Sequence, residues 1–303
     1  MHKNALPKFA VLLAAYNGAK WIEEQITTIL NQQNVEVDIF VSIDLSTDET
    51  RSLVENLCRD NIKIHILDDL GRFGGAAKNF YRLIKDVNFS QYDYISFSDQ
   101  DDIWNDYKLY NAHLKIEEQG YDAYSGNVLA FWDGGRSMIV DKAQEQTCYD
   151  YLFEAAGPGC TYVLSKRVAL HLREFVIANW SEVGKIELHD WFIYAFSRVN
   201  GYKWYIDKQI NMLYRQHDTN QVGVNSGISA FIKRFMMIKS QWYRQESIKI
   251  ITLLNLQNRF KFSSYIMKKS FLNNLLLIGS VFSFRRKLSD KIFFLLVCFF
   301  GIY

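Results

Sequence analysis

The sequence predicts an α/β fold, a mostly parallel sheet with helices on both faces, followed by a basic and apolar helical extension. Three observations predict it. Apolar runs of strand length recur at residues 9–15, 38–44, 62–67 and 92–98. Segments of helical period separate them. The balance of charge then reverses near residue 228: residues 1–227 carry 22 basic and 31 acidic side chains, net −9, and residues 228–303 carry 13 basic and 2 acidic ones, net +11. Strands that alternate with helices imply a parallel sheet, because a parallel return needs a crossover long enough to hold a helix.

Residues 9–15 (FAVLLAA) read as a strand buried on both faces. Tyr16, Asn17 and Gly18 break it. A helix over 19–31 follows, with Ile22, Ile26, Ile29 and Leu30 along one face. Residues 38–44 (DIFVSID) form a second strand, after which Ser46, Thr47, Asp48 and Glu49 supply acceptors for the free amides of a helix that runs to about Cys58. Residues 62–67 are the third strand, 76–85 a helix and 92–98 (YDYISFS) the fourth strand, with a further helix beginning near Ile103. Residues 120–190 lose clean periodicity. Within and beyond them stand a tight glycine bend at 156–161 before the apolar segment 162–164, a helix over 191–199 and a strand-like run at 210–214.

The 303 residues are 49% apolar and 22% charged with only 2 Pro, which excludes a disordered or collagenous chain. Cys58, Cys148, Cys160 and Cys298 are too far apart for a zinc pair and do not suggest a disulfide scaffold, which points to a reducing compartment. The apolar run after Lys3 and Lys8 is shorter than a secretory signal needs, so the N-terminus reads as the first strand of a cytoplasmic protein. No GxGxxG follows the first strand and no GxxxxGK(S/T) occurs, leaving dinucleotide and P-loop readings unsupported.

Ligands of such sheets bind beyond the carboxyl ends of the strands, where Asn17, Asp44, Asp68 and Asp99 fall. Asp99, Asp101 and Asp102 set three carboxylates directly after an apolar strand. Partly buried, such a group repels itself unless it is countered, and a hard divalent cation such as Mg²⁺ or Mn²⁺ counters it while bridging to phosphate. A surface turn that caps the next helix is the other reading.

The ordered series VLLAAYNGAKWIEEQI, SIDLSTDET, GRFGGAAKNF, ISFSDQDDIW, GCTYVLSK, ELHDWF and YRQHDTNQVG resembles glycosyltransferase family 2, inverting nucleotide-sugar transferases of the GT-A fold, over about residues 9–224. Within the family it looks most like bacterial rhamnosyltransferases of surface polysaccharide synthesis. The resemblance implies that Ala15, Tyr16 and Asp44 contact the nucleotide base. Where the family usually has two acids and then Gly, this chain has Ile43 before Asp44 and Leu45 after it. Lys78 stands where Arg is common and would face the diphosphate as a point charge. Asp101 would be the direct metal ligand. Asp99 would face the ribose and the metal's waters, and Asp102 would cap a helix while contacting sugar hydroxyls. Trp104 matches an often aromatic position and reads equally as a core residue.

On the acceptor side, Asp190 matches the family's catalytic carboxylate, with a helix cap as its alternative. Inverting transfer is one in-line displacement that needs a base for the acceptor hydroxyl and a cation for the departing diphosphate. Arg215 and His217 would stand at the diphosphate, with His217 also able to reach the metal or to be a structural histidine.

The tail holds the runs 271–284 and 292–303 around Arg285, Arg286 and Lys287. The second run has 12 residues, against about 20 needed to cross a bilayer. The expectation is partial insertion at an anionic membrane surface, with Lys268, Lys269 and the Arg285 cluster against head groups. The alternative is a helix pair that completes the core or makes a dimer. Nucleic acid is the weakest choice and is not expected as a partner, since the basic residues alternate with aliphatic runs. Residues 1–227 then form a catalytic domain (about 1–115 binding nucleotide, 116–227 on the acceptor side) and 228–303 an extension. The implied function is metal-dependent transfer of a sugar, with rhamnose from dTDP-rhamnose as the expected donor, to a lipid-linked or growing glycan by a peripheral protein at the cytoplasmic face of the bacterial inner membrane. A UDP-hexose or UDP-N-acetylhexosamine donor, or a non-catalytic nucleotide-sugar-binding subunit, are the alternatives.

Overall fold

The computed structural model describes residues 5–217 and 228–303. Lys3 and residues 218–223 of the last motif lie outside the described residues. Among those described, β1 (Lys8–Ala15), α1 (Ile22–Leu30), β2 (Glu36–Ile43), α2 (Thr50–Asp60), β3 (Ile64–Ile66), α3 (Ala76–Asp86) and β4 (Tyr94–Ser98) follow the expected order. Successive side chains of a strand point to opposite faces. Phe9, Val11 and Leu13 of β1 therefore join Ile22, Ile26 and Ile29 of α1 in one core, and Ala10, Leu12 and Ala14 join Phe80, Leu83 and Ile84 of α3 in another.

The helix expected at Ile103 is absent. Ile103–Trp104 is a short strand, β5, and α4 starts only at Lys108 (Lys108–Gln119). Antiparallel pairing with Leu213 and Met212 claims these two residues for the sheet, which sequence spacing could not show. The chain continues with β6 (Ala123–Trp132), β7 (Ser137–Val140), β8 (Val163–Ser165), α5 (Lys166–Ala178), α6 (Trp180–Val183), α7 (His189–Val199) and β9 (Trp204–Gln216).

The sheet runs β3-β2-β1-β4-β8-β6-β9-β5, with β7 beside β6. It is parallel from β3 to β4 and again between β6 and β9, whereas β4–β8, β8–β6, β6–β7 and β9–β5 are antiparallel. The expected parallel character thus holds for the first half and gives way to a mixed sheet in the second. The short β6–β7 connection leaves no room for a crossover, and Gly135 (φ +79°) supplies its left-handed residue.

The tail is helical: α8 (Ile228–Lys239), α9 (Trp242–Leu253), α10 (Ser263–Met267), α11 (Phe271–Ile278) and α12 (Leu288–Phe299). Its inner side shares a core with the α3 face of the sheet. Phe284 stacks on Phe153 at 4.5 Å, and Ile250, Phe294 and Val297 are buried in the same cluster as Trp191. The placement of Arg285 and Arg286 against lipid head groups is corrected. Arg286 is fully buried, donating to Asp150 Oδ2 (2.9 Å) and the Ala155 carbonyl (2.7 Å), while its backbone amide donates to Glu154 (2.7 Å). Arg285 donates to the Phe153 carbonyl (2.7 Å) and pairs with Asp290 (3.4 Å). Burial disfavours the Arg286 charge, but Glu154, Tyr194 and Asp150 more than offset it and hold it above the ordinary arginine range. The acidic partners lie about 130 residues upstream, so only the tertiary fold brings them to the arginines.

Candidate active site

The carboxyl ends of β1, β2 and β4 open onto one cleft, because β1 lies between the other two. The Asp44 amide donates to the Ala15 carbonyl (2.8 Å), which sets the two expected nucleotide contacts side by side. Asp44 is buried. Its Oδ1 accepts the amides of Leu45 (2.8 Å) and Phe73 (2.7 Å), and its Oδ2 accepts that of Gly74 (2.9 Å). The carboxylate therefore shapes the loop leading to α3, and one lone pair of Oδ2 is left over from these bonds. Lys78 is exposed in the first turn of α3.

Tyr16 is half exposed, and its backbone is clamped to the Gln100 side chain in both directions (2.7 and 2.8 Å). A Cβ at Gly18 would lie 2.2 Å from Gln100 Oε1, so an added side chain there would displace the amide that holds the Tyr16 backbone. Sequence reasoning passed over Gln100, although it stands inside the acidic motif. Arg82 was also missed: fully buried, it donates to Ser42 Oγ (2.9 Å) and to the Asp68 carbonyl, locking the ends of β2 and β3 together.

The three carboxylates separate in role. Asp101 Oδ2 lies 2.6 Å from His217 Nε2, and the imidazole stacks on Trp21 at 4.2 Å. Burial, then the charges of Asp101 and Asp190, push Asp99 up to about 7. Burial, then Asp101 and Asp99, push Asp102 well above the carboxylate range. Asp102 Oδ1 accepts the Arg215 amide (3.2 Å), and among the described residues its buried Oδ2 has no close donor beyond the neighbouring Cys160 thiol. It does not cap a helix at Ile103, since none begins there.

Ligand atoms of Asp99, Asp102 and Cys160 lie within 4.8 Å of one another. Burial holds the Cys160 thiol well above its usual range, so it stays neutral and suits a hard cation poorly. Among the described residues Asp101 and His217 pair with each other and are not part of that converging group; its carboxylate oxygens are of the kind Mg²⁺ and Mn²⁺ take, and a cation there would relieve the crowding that raises Asp99 and Asp102.

Arg215 is buried and does more than face a phosphate. It donates to the Asp101 carbonyl (2.9 Å) and to Glu24 (2.6 Å) and lies 4.7 Å from the Phe131 ring centre. Trp104 takes the core alternative: it is buried, with the Lys108 ammonium 3.3 Å from its ring centre.

Asp190 sits in the first turn of α7, half-buried, accepting its neighbour's Trp191 amide (2.7 Å). Burial pushes it up to about 6 against the hydrogen bond and Lys142, which favour its charge. His189 beside it is pushed down to about 3 by burial and stacks on Phe80 at 4.1 Å, so it is neutral at any ordinary pH. A Cβ at Gly159 would lie 2.6 Å from His189 Nε2 and 3.3 Å from Asp190 Cβ. The glycine bend read from sequence thus seats the carboxylate. From the tail, Glu246 accepts the Glu187 amide (3.0 Å) and Trp242 donates to Glu187 (2.9 Å), bracing the loop that precedes α7.

The family model for glycosyl transferase family 2 matches residues 10–163. A dTDP-rhamnosyl transferase, RfbG of Shigella flexneri, is 47% identical over 293 residues, 96% of this chain and 100% of that protein. A putative teichuronic acid biosynthesis glycosyltransferase of Bacillus subtilis, TuaG, is 26% identical over 54% of this chain and 64% of its own length. Among solved structures, S. aureus TarS 1–349 matches with a TM-score of 0.57 at 14% identity, covering 97% of this chain and 90% of that one. The mannosyltransferase PcManGT from Pyrobaculum calidifontis, solved with GDP-Man and Mn²⁺, matches with a TM-score of 0.52 at 12% identity over 99% of this chain and 86% of its own. These two likenesses show the fold alone. The chain belongs to glycosyl transferase family 2 and is an inverting glycosyltransferase of GT-A-like fold that takes a sugar from a nucleotide-sugar to an acceptor.

Proposed function

With family 2 membership as the premise, we propose that the enzyme moves rhamnose from dTDP-rhamnose onto a hydroxyl of a growing or lipid-linked surface glycan, with Asp190 as the base. The donor follows from 47% identity along 96% of the chain to a dTDP-rhamnosyl transferase. The observation that carries the chemistry is Asp190, half-buried at a helix start and pushed up to about 6. A carboxylate raised that far is a stronger base than a free one, yet is ionised at neutral pH.

The acceptor oxygen bonds to the anomeric carbon as the bond from that carbon to the diphosphate oxygen breaks, and the acceptor proton passes to Asp190. Asp99, Asp101 and His217 would hold a divalent ion, Mn²⁺ or Mg²⁺, which supplies charge neutralisation for the leaving diphosphate. Ala15, Tyr16 and the remaining lone pair of Asp44 Oδ2 receive the nucleotide base. Lys78, exposed in the first turn of α3, receives the diphosphate as a point charge. Arg215 and Asp102 hold the floor beneath the donor.

In this reading residues 1–227 are the catalytic unit, with donor contacts before about residue 115 and acceptor contacts after it, and 228–303 is an extension that braces it. The enzyme works as a peripheral protein at the cytoplasmic face of the inner membrane. Purified enzyme with Mn²⁺ should be stabilised more against heat by dTDP-rhamnose than by UDP-glucose or UDP-N-acetylglucosamine, and should release dTDP on adding acceptor. Greater stabilisation by a UDP-sugar overturns the donor assignment.

A further inference from the structure

We infer that α11, the turn after it and α12 carry one apolar ridge, bordered by lysines, that lies on an anionic lipid bilayer. This deepens the peripheral placement above and does not depend on which sugar the enzyme transfers. Leu288, Ile292, Leu296, Phe299 and Phe300 recur at helical spacing and are all exposed, Leu288 at 62% and Phe300 at 65%, while Phe294, Val297 and Cys298 face the core. Phe271, Leu272 and Leu276 of α11 and Phe282 of the turn are exposed as well.

These side chains form one surface. Phe271 lies against Gly301, where an added Cβ would meet its ring at 3.0 Å, so the start of α11 adjoins the end of α12. Phe282 is brought beside the first turns of α12 by the Lys291 ammonium, 5.2 Å from its ring centre. An unpartnered apolar surface of this extent calls for a partner.

Charge selects the partner. Between residues 251 and 303 the one acidic residue, Asp290, is turned inward onto Arg285 and Arg234. Arg285 and Arg286 are likewise internal. The exposed charges that remain, on Arg259, Lys261, Lys268, Lys269 and Lys287, are all positive. An apolar ridge bordered by cations fits the boundary of acyl chains and anionic head groups.

Two other occupants fit less well. A symmetric pairing with a second copy would set the same lysines against each other. The acyl chains are not taken inside, because the cavity behind α12, lined by Phe153, Trp191, Arg285, Phe294 and Tyr303, is about 30 Å³, room for one water. Among the described residues no helix is long and apolar enough to cross a membrane, and α12 at 12 residues is about 18 Å long, so it lies on the surface.

The test is sedimentation of the full-length protein with phosphatidylcholine vesicles with and without phosphatidylglycerol, beside a Leu288→Ser/Ile292→Ser/Leu296→Ser variant and a Lys268→Glu/Lys269→Glu/Lys287→Glu variant. All six positions are exposed or at the ridge, so each variant should keep its circular dichroism and its thermal stabilisation by dTDP. The wild type should sediment with phosphatidylglycerol vesicles and less so in high salt, and each variant should partition about tenfold or more weakly. Equal sedimentation of wild type and variants, or none by the wild type, overturns the inference. So does light scattering that shows a dimer which the serine variant dissociates, since the ridge is then an interface between copies. If the serine variant fails to fold, the lysine variant alone decides. Vesicle binding with no response to dTDP-rhamnose would leave this surface standing and refute the donor assignment instead.

Discussion

Replacing Asp190 by Asn should make the protein more stable and nearly inactive, and the two effects are linked. The Asp190 carboxyl moves from an ordinary 3.8 to about 6 on folding. A gap of about 2 units corresponds to about 3 kcal/mol at most, from 1.36 kcal/mol per unit. The folded state binds this proton more tightly than the unfolded state. Stability from Asp190 is therefore full below about pH 4, falls as pH rises through the window from about 4 to 6, and stays lost above it. Asn has no proton to lose and keeps the oxygen that accepts the Trp191 amide (2.7 Å). The gain for Asp190→Asn should thus be near zero at pH 4 and up to about 3 kcal/mol at pH 7–8, measured by urea unfolding without divalent ions. Relief of Asp99, which the Asp190 charge helps to hold at about 7, adds in the same direction. Turnover should fall by about 10²–10⁴ with donor affinity kept, and the wild-type rate should show an acidic limb near pH 6. A variant with wild-type turnover, or with no stability gain between pH 4 and 8, refutes the reasoning.

The remaining predictions concern the metal, the bend and the tail. Asp101→Ala should lower turnover by about 10² or more and remove the stabilisation that Mn²⁺ gives the donor complex, and full activity of wild type after exhaustive chelation would contradict it. Gly159→Ala, whose Cβ would lie 2.6 Å from His189 Nε2, should displace Asp190 and cost up to about 10² in kcat with little change in donor affinity; unchanged kcat shows that the bend does not seat the base. Arg286→Leu leaves Asp150 and Glu154 with less compensation and should destabilise the protein by about 3–5 kcal/mol in urea unfolding, while a loss below about 1 kcal/mol would mean that the buried network does not anchor the tail.

The sequence by itself determined the first half of the fold and the acid-rich cleft. Phe9–Ala15 is an apolar run buried on both faces and 38–44 an apolar-rich one with Ile39, Val41 and Ile43 buried, so their strand character is written in consecutive residues; Asp44 follows from where the second stops and Asp99 from where the run 92–98 stops. The ordered motifs likewise gave the family and Asp190. The sequence could not determine what depends on distant partners. Ile103 and Trp104 became a strand because Leu213 and Met212 lie alongside them, and β6 (AYSGNVLAFW) was illegible because Ser125, Gly126 and Asn127 break its apolar run, the buried Ser125 and Asn127 being satisfied by Trp204 and Asp141 from other segments. Arg285 and Arg286 looked like a lipid-facing cluster until Asp150 and Glu154, far upstream, were brought against them. Hydropathy marked the tail as apolar and basic, but only tertiary packing decided which of its side chains face the core and which remain outside. Local pattern records a residue's preference for burial; the identity of the partner that satisfies a buried charge is set by long-range contacts that no short window of sequence contains.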